Sequence, residues 1–480
     1  MHPSRIAICF ITLLAIGLLA ECYASLLGQG QHEGNQNNLL IKEEHRRRHT
    51  YQRSIQSIGI KKPNTLGGIE EMLSIRPRYR AEVEDTAKIE TLSTRAPSSW
   101  YMIIDKPGYY ELTEDIINCT KQCGIYINAS NVVLDGKGHI LDGVHNSSSK
   151  YGIYVDGVKN VTIRNITIQE WSNCGIHLYY SSSNNIYNNT IRNNGEYGIY
   201  LVYPCSNNEI HGNIIQNNDY GIFIENYCSN NKIYNNTIQD NNLDGIGFFG
   251  GYNTNNKIYD NIIRKNKRGI YIFISHDNEI RNNTIQDNNY GIYLEASSDN
   301  KIYNSTIRNN GYGIYASFYY YYYSEYNQIY SNEIQNNSHG IYIEYSDHNK
   351  IYSNSIWYNG YGVYLCASDY SNVSFNNFIN DGIFVLSGGN TIVGNTVNGK
   401  PLIYMENETN KQIDIIAGQI ILIECQDIII KGQNITNTYV AIELLGTSNT
   451  MIYNSTIQDN HYGIYIVDSS NNKIYESTIQ

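Results

Sequence analysis

The chain has 480 residues, 45 acidic against 34 basic, and a net charge of −11. That balance argues against a nucleic-acid surface and suits an extracellular one. Its 9 cysteines form no Cys-x-x-Cys pair and no zinc spacing, so neither a metal nor a cofactor is expected.

Arg5 precedes an apolar run of 15 residues, Ile6–Ala20, followed by Cys22-Tyr23-Ala24-Ser25. The run is short for a membrane span and suits a secretory signal over residues 1–24, cleaved after Ala24. An uncleaved signal anchor is the alternative. Glu21 stands where a lipoprotein site needs a small residue. Residues 25–97 contain few aromatics, no repeat and the charged run Glu43-Glu44-His45-Arg46-Arg47-Arg48-His49. The run could be a processing site or meet an acidic surface polymer, but the segment reads foremost as a solvated, poorly ordered leader. The sequence predicts no transmembrane span besides the signal segment.

From residue 98 to 480 one unit recurs. Its opening glycines are Gly152, Gly175, Gly198, Gly221, Gly245, Gly269, Gly291, Gly313, Gly340, Gly362 and Gly382, in steps of 20 to 27 residues and mostly 22 to 24. Such a period marks a solenoid. In Asn231-Lys232-Ile233-Tyr234-Asn235-Asn236-Thr237-Ile238, isoleucines alternate with polar or aromatic residues in runs of two or three, which reads as very short strands. Asn-Asn, Asn-Gly and Asp-Asn turns separate them. Three strands and three turns per coil of about 22 residues predict an all-β, right-handed parallel β-helix. A leucine-rich repeat shares the period but requires a helical segment and a leucine signature. Trp100-Tyr101-Met102-Ile103-Ile104 and Gly124-Ile125-Tyr126-Ile127 should enter the solenoid and cap it. Asn471–Gln480 stop inside a coil, so the domain is expected to be truncated at its C-terminus.

Asn189, Asn213, Asn236, Asn261, Asn283, Asn332, Asn354 and Asn377 should form an inward amide ladder, since stacked amides satisfy one another. Ser305, Ser455 and Ser477 replace asparagine in this column and should be its weaker joints; Asn241 is placed in a turn. Cys205 and Cys228 each lie 5 residues before a strand isoleucine, Ile210 and Ile233. Equivalent positions in adjacent coils are roughly 4.8 Å apart, so a disulfide between them is expected, and a second across Cys119–Cys123. Sequons abound: Asn118-Cys119-Thr120, Asn128-Ala129-Ser130, Asn146-Ser147-Ser148, Asn160-Val161-Thr162, Asn165-Ile166-Thr167, Asn188-Asn189-Thr190 and others downstream. A repeat rich in Asn with Thr before a strand generates them by itself, so their number proves nothing.

The repeat Asn-Asn-Lys-Ile-Tyr-Asn-Asn-Thr-Ile resembles that of the NosD-type β-helix family, grouped with carbohydrate-binding proteins and sugar hydrolases. Pro107-Gly108-Tyr109-Tyr110-Glu111-Leu112-Thr113 with Asn131-Val132-Val133-Leu134-Asp135-Gly136 resembles the family's first coil. Asn398-Gly399-Lys400-Pro401-Leu402-Ile403-Tyr404 with Gly418-Gln419-Ile420-Ile421-Leu422-Ile423 resembles its long excursion between coils. The composition is similar to archaeal surface members. The resemblance implies a β-helix outside the cytoplasmic membrane and, from the founding members, assistance in copper delivery. Copper requires clustered His, Met or Cys; His139, His145, His177 and His211, and Met102, Met405 and Met451, are scattered.

Polysaccharide lyases and hydrolases share the expected fold, and paired carboxyls would be their signature. Asp156, Glu225, Glu295 and Glu344 end first strands, but no pectinolytic motif accompanies them. The 46 tyrosines are more telling. One outward column holds Tyr154, His177, Tyr200, Phe223, Gly247, Tyr271, Tyr293, Tyr315, Tyr342, Tyr364 and Phe384. A second holds Tyr187, His211, Tyr234, Tyr259, Arg281, Tyr303, Tyr330, Tyr352 and Phe375. The step from Gly313 to Gly340 is 27 residues, and its surplus carries Phe318 and Tyr319–Tyr323. This run should bulge beside Tyr293, Tyr315 and Tyr342, making Tyr320, Tyr321 and Tyr322 with those three the candidate carbohydrate-binding residues. The leading expectation is an exported, non-catalytic surface protein with a glycan or envelope partner. The alternatives are a polysaccharide-cleaving enzyme and a copper-maturation accessory protein.

Overall fold

The computed structural model describes residues 99–251 and 253–480. The expected signal segment and leader, residues 1–97, lie outside the described residues. Within them every regular element is a β-strand, starting at Trp100. One coil shows the plan: Tyr197–Val202, Glu209–His211 and Ile214–Gln216, joined by corners of a few residues. Equivalent strands stack in parallel into sheets A and B, of 13 strands each, and sheet C, whose 16 strands include four of a second stack joined by one antiparallel pair. Isoleucine meets isoleucine throughout: Ile199↔Ile222 in sheet A, Ile210↔Ile233 in sheet B, Ile215↔Ile238 in sheet C. These columns are solvent-free and form one long core, in which Trp171 is the largest fully buried side chain. The chain is the expected right-handed parallel β-helix.

The repeat glycines have a steric cause. A Cβ on Gly198 would sit 2.6 Å from the Gly221 carbonyl oxygen and 2.7 Å from the Ile215 side chain. Successive coils approach there as closely as backbones can, so only glycine fits. The corners use the complementary device, a residue in the left-handed region, such as Asn188, Asn235 and Asn282 at φ 54–56°.

The amide ladder exists in three copies, one per corner. Between sheets B and C, the Asn213 Oδ1 accepts both the Asn189 backbone N–H and its side-chain amide at 3.0 Å, and Asn213 donates onward to Asn236. This ladder runs through Asn376, which accepts from Asn354, whereas Asn377 opens an exposed strand position. The expected Asn377 is therefore corrected to Asn376. Ser305 accepts the Asn283 N–H but cannot take its side-chain amide as well, as expected of a weaker joint. A second ladder passes through Asn184, Asn208, Asn231 and Asn256. The third includes Asn218, Asn241 and Asn266, so Asn241, 2% exposed, is a ladder residue and not a free turn. It ends on Asp381, whose carboxylate takes the Asn359 amide at 2.9 Å.

At Asn398-Gly399 a hairpin reverses the chain, pairing Thr396–Val397 antiparallel with Lys400–Pro401. A shorter stack follows, built on Lys400–Glu406, Gln419–Ile423, Val440–Leu445 and Tyr462–Val467. Its side chains cover the open edge of sheet A. Gln419 accepts from the Ile383 N–H at 2.9 Å and donates to the Ile383 carbonyl, and Thr438 donates to the Asp381 carbonyl at 3.0 Å. Glu443 receives the Val385 N–H. Side chains here do what a further strand would do.

Candidate functional site: aromatic faces and the tyrosine hairpin

Because isoleucines take the inward positions of sheet A, alternate residues face out. Tyr293, Tyr315 and Tyr342 stack in sequence at 4.9 and 5.3 Å, within the expected column. The residue before each glycine builds a parallel column that the sequence reading missed: Tyr290, Tyr312, His339 and Tyr361, 4.4–5.0 Å apart and within 11° of parallel. The Tyr-Gly-Ile-Tyr repeat carried that signal. Sheet B has the expected ribbon, with Tyr234 on Tyr259 at 4.9 Å and Tyr303 on Tyr330 at 4.8 Å, their planes almost parallel. It ends at Ser374, which pairs with Tyr352; Phe375 occupies the corner beyond. Rings stacked this way cover one another's faces and leave edges to solvent. The columns thus act first as cross-strand pairs that support the sheets.

The four acids that end sheet A strands each accept a phenol from the coil before. Tyr126 donates to Asp156 at 2.7 Å, Tyr200 to Glu225, Tyr271 to Glu295 at 2.5 Å and Tyr315 to Glu344 at 2.6 Å. Burial raises the pKa of the Glu295 carboxyl, and its phenol partners and Arg268 oppose this. Burial also pushes the Tyr126 phenol up to about 12. The acids are elements of a repeated clasp, which accounts for their spacing without catalysis.

The inserted run forms a two-residue hairpin: the Tyr319 N–H donates to the Tyr322 carbonyl at 2.8 Å and the reverse bond is 3.0 Å. Tyr320 sits at its tip in the left-handed region, φ 54°. At its base Tyr319 reaches back across the preceding coil, edge-on to Phe273 at 5.0 Å, while Phe318 packs edge-on to Tyr345 of the following coil at 4.9 Å. Ala296, in the straddled coil, is consequently buried. Tyr320, Tyr321 and Tyr322 project into solvent, 65%, 81% and 62% exposed. The hairpin lies at the end of the strand bearing Tyr315, but its three tips do not join the Tyr293–Tyr315–Tyr342 stack, whose rings are half-buried.

The expected disulfides are not formed here: Cys205, Cys228, Cys119 and Cys123 are buried free thiols. Cys205 and Cys228 stand in a column filled mostly by serine, between Ser181 and Asn253. The Cys228 sulfur accepts the Cys205 N–H at 3.3 Å as the Cys205 sulfur accepts that of Ser181, so each thiol serves as a rung between coils. Cys123 donates to the Ile125 carbonyl within its own strand.

His177 lies flat against Tyr200 at 4.9 Å with both ring nitrogens buried and without partners, and burial lowers its pKa to about 4. No second metal donor accompanies it: among the described residues no three His, Cys, Asp or Glu converge. The donor set does not fit a copper centre. A cleft of about 620 Å³ opens between the two stacks, lined by His339, Tyr361, Tyr439, His461 and Asp459. Across it Tyr361 meets Tyr439 at 3.8 Å, so the ring column continues from one stack to the other.

This geometry defines a β-solenoid with aromatic outer faces. The chain belongs to the right-handed β-helix family, whose model, the right handed beta helix region, matches residues 110–251 and 381–480. The model described as periplasmic copper-binding protein (NosD) matches residues 245–411. No curated protein matches the sequence significantly. Among solved structures, the A-module of mannuronan C-5 epimerase AlgE4 from Azotobacter vinelandii is similar, at 15% identity and a TM-score of 0.42, over 65% of this chain and 87% of that one. The Dettilon tailspike protein is 16% identical with a TM-score of 0.41, over 62% and 59%. The periplasmic alginate epimerase AlgG is 15% identical with a TM-score of 0.36, over 63% and 79%. These likenesses concern the fold.

Proposed function

We propose that the protein is an exported, non-catalytic β-helix that binds glycan or another envelope component through aromatic side chains. The observation that carries this reading is the hairpin, whose Tyr320, Tyr321 and Tyr322 keep exposed rings while the other columns pack ring on ring. Three adjacent exposed phenols are unfavourable in water and suit a ligand with apolar C–H faces and hydroxyl groups, which a sugar supplies. Export is supported by the apolar run Ile6–Ala20 and by a match to the model of a periplasmic protein. The engagement of Asp156, Glu225, Glu295 and Glu344 by tyrosines supports a binding role over bond cleavage.

The test replaces Tyr320, Tyr321 and Tyr322 together by Ser and compares glycan-array and envelope-fraction binding with wild type. Loss of binding with an unchanged circular dichroism spectrum is expected. Unchanged binding would remove the hairpin as the site. Release of reducing or unsaturated sugar by the wild-type protein would instead establish an enzyme.

A further inference from the structure

The sequons, uninformative as a count, become selective once placed on the fold. Those at Asn188, Asn235, Asn282, Asn304 and Asn454 fall on the same corner, between sheets B and C or its equivalent in the second stack. Each of these asparagines is in the left-handed region, φ 51–56°, and exposed. The middle residue of each triplet, Asn189, Asn236, Asn283, Ser305 or Ser455, is buried in the amide ladder. The third, Thr190, Thr237, Thr284, Thr306 or Thr456, opens the next strand just before an inward isoleucine and so faces out. Each triplet therefore reads out, in, out, with the carboxamide and the threonine hydroxyl toward the same solvent.

Four other sequons are tied down through their side chains. Asn165, on this corner, donates its amide to Asp135 at 3.1 Å, and Asn160 donates to Asn131 at 2.6 Å. Asn146 accepts from the Ser148 hydroxyl, and Asn372 accepts from that of Ser374. By contrast, among the described residues the side chains of Asn188, Asn235, Asn282, Asn304 and Asn454 have no hydrogen-bond partner. Gly212 and Asp260 occupy the corner between Asn188, Asn235 and Asn282, which are thus two coils apart, roughly 9.6 Å. Asn304 is one coil beyond Asn282, roughly 4.8 Å.

We infer that this corner is a row of N-glycosylation acceptors, a modification that rests on the proposed export but not on the proposed ligand. The donor is a lipid-phosphate-linked oligosaccharide acted on by an oligosaccharyltransferase. The asparagine amide nitrogen forms a bond to the anomeric carbon, the carbon–oxygen bond to the phosphate breaks with its electron pair going to the departing lipid phosphate, and the nitrogen loses one proton. Neighbouring glycans two coils apart have room. At one coil they collide, so Asn304 is modified in molecules whose Asn282 is not. The row clothes the corner between sheets B and C, away from the corner between sheets A and B that bears the tyrosine hairpin.

The full chain, placed behind a supplied export leader, is secreted from a host with N-glycosylation, and each sequon peptide is scored by mass spectrometry. Occupancy is expected at Asn188, Asn235 and Asn454 and at either Asn282 or Asn304, with Asn165 and Asn160 unmodified. Thr237→Val should remove one glycan mass, that on Asn235, and no other. Unmodified peptides at the five corner sites in secreted, folded protein would overturn the inference, as would equal occupancy at the tied sequons. A second arm with the native N-terminus reads location alone. Retention in the cytoplasm there would defeat the export reading and with it the modification in the native cell, while the first arm still measures acceptor geometry separately.

Discussion

The Tyr271 phenol donates to the Glu295 carboxylate at 2.5 Å, reaching from one coil to the next across the outer face of sheet A. The main-chain bonds of the sheet already run along the same axis, so the pair adds a side-chain tie parallel to them. Arg268, 3.6 Å over the Tyr271 ring and paired with Asp244, anchors the same point.

Tyr271→Phe should therefore destabilise the protein by about 1–3 kcal/mol, the cost of a largely buried carboxyl deprived of its donor. Glu295→Gln, which keeps an acceptor, should cost less. Chemical denaturation of the two variants decides the order, and equal losses would show that the tie contributes only packing.

Asn261→Leu and Asn241→Leu should both destabilise, each by about 1–3 kcal/mol for every amide group left without a partner. Asn377→Leu, outside any ladder and exposed, should shift the melting temperature little. A neutral result at Asn241 would place that residue outside the ladder.

The joint between the stacks should weaken as pH rises. Burial pushes the Asp381 carboxyl up to about 8, against the two bonds from Asn359, and holds Glu443 well above the carboxylate range. Both folded pKa values exceed the unfolded ones, so the folded state retains protons that the unfolded chain loses. For Asp381 that stability is fully present below about pH 4 and is lost by about pH 8, by at most about 1.4 kcal/mol per pH unit. Denaturation midpoints should fall across this window, and Asp381→Asn, which continues the amide ladder, should flatten the slope. A slope unchanged in that variant would assign the effect elsewhere.

Thiol titration should find Cys205, Cys228, Cys119 and Cys123 reactive in denaturant without reductant and slow in native protein, since all four are buried. A Cys205–Cys228 cross-linked peptide under non-reducing conditions would contradict the serine-like role of these sulfurs.

The solenoid was legible because its cause is periodic: Gly198 and Ile199 recur as Gly221 and Ile222 in the same steric setting. One ladder could be read from Asn three residues after a strand isoleucine. The others could not, because Asn184 and Asn194 sit in polar stretches where nothing in the sequence separates inward from outward. The one-residue slip at Asn377 and Phe375 has the same origin, since Val373 replaces the isoleucine that set the frame. Tyr320–Tyr322 were foreseen as protruding from the length of one step, yet the backward fold of Tyr319 onto Phe273 was not. The second stack was hidden because its coils use the same words as the first, and only the Asn398-Gly399 turn announces the reversal.

That the tyrosine hairpin hangs from a corner has a consequence for how such a molecule can change. The corner between sheets A and B is closed by inter-coil rungs such as the Ser324 hydroxyl, which accepts the Ser297 N–H at 3.0 Å, and the same hydroxyl donates to the Ser317 carbonyl at 2.7 Å across the insert's own base. Everything between Ser317 and Ser324 is outside the stacked core. Apart from the contacts of Phe318 with Tyr345 and of Tyr319 with Phe273, lengthening that segment alters only loop closure, which grows by about 0.6 kcal/mol for each doubling. Each coil thus offers a port at which a new surface can be grafted while its neighbours stay in register, and the Tyr319–Tyr323 run occupies one of them.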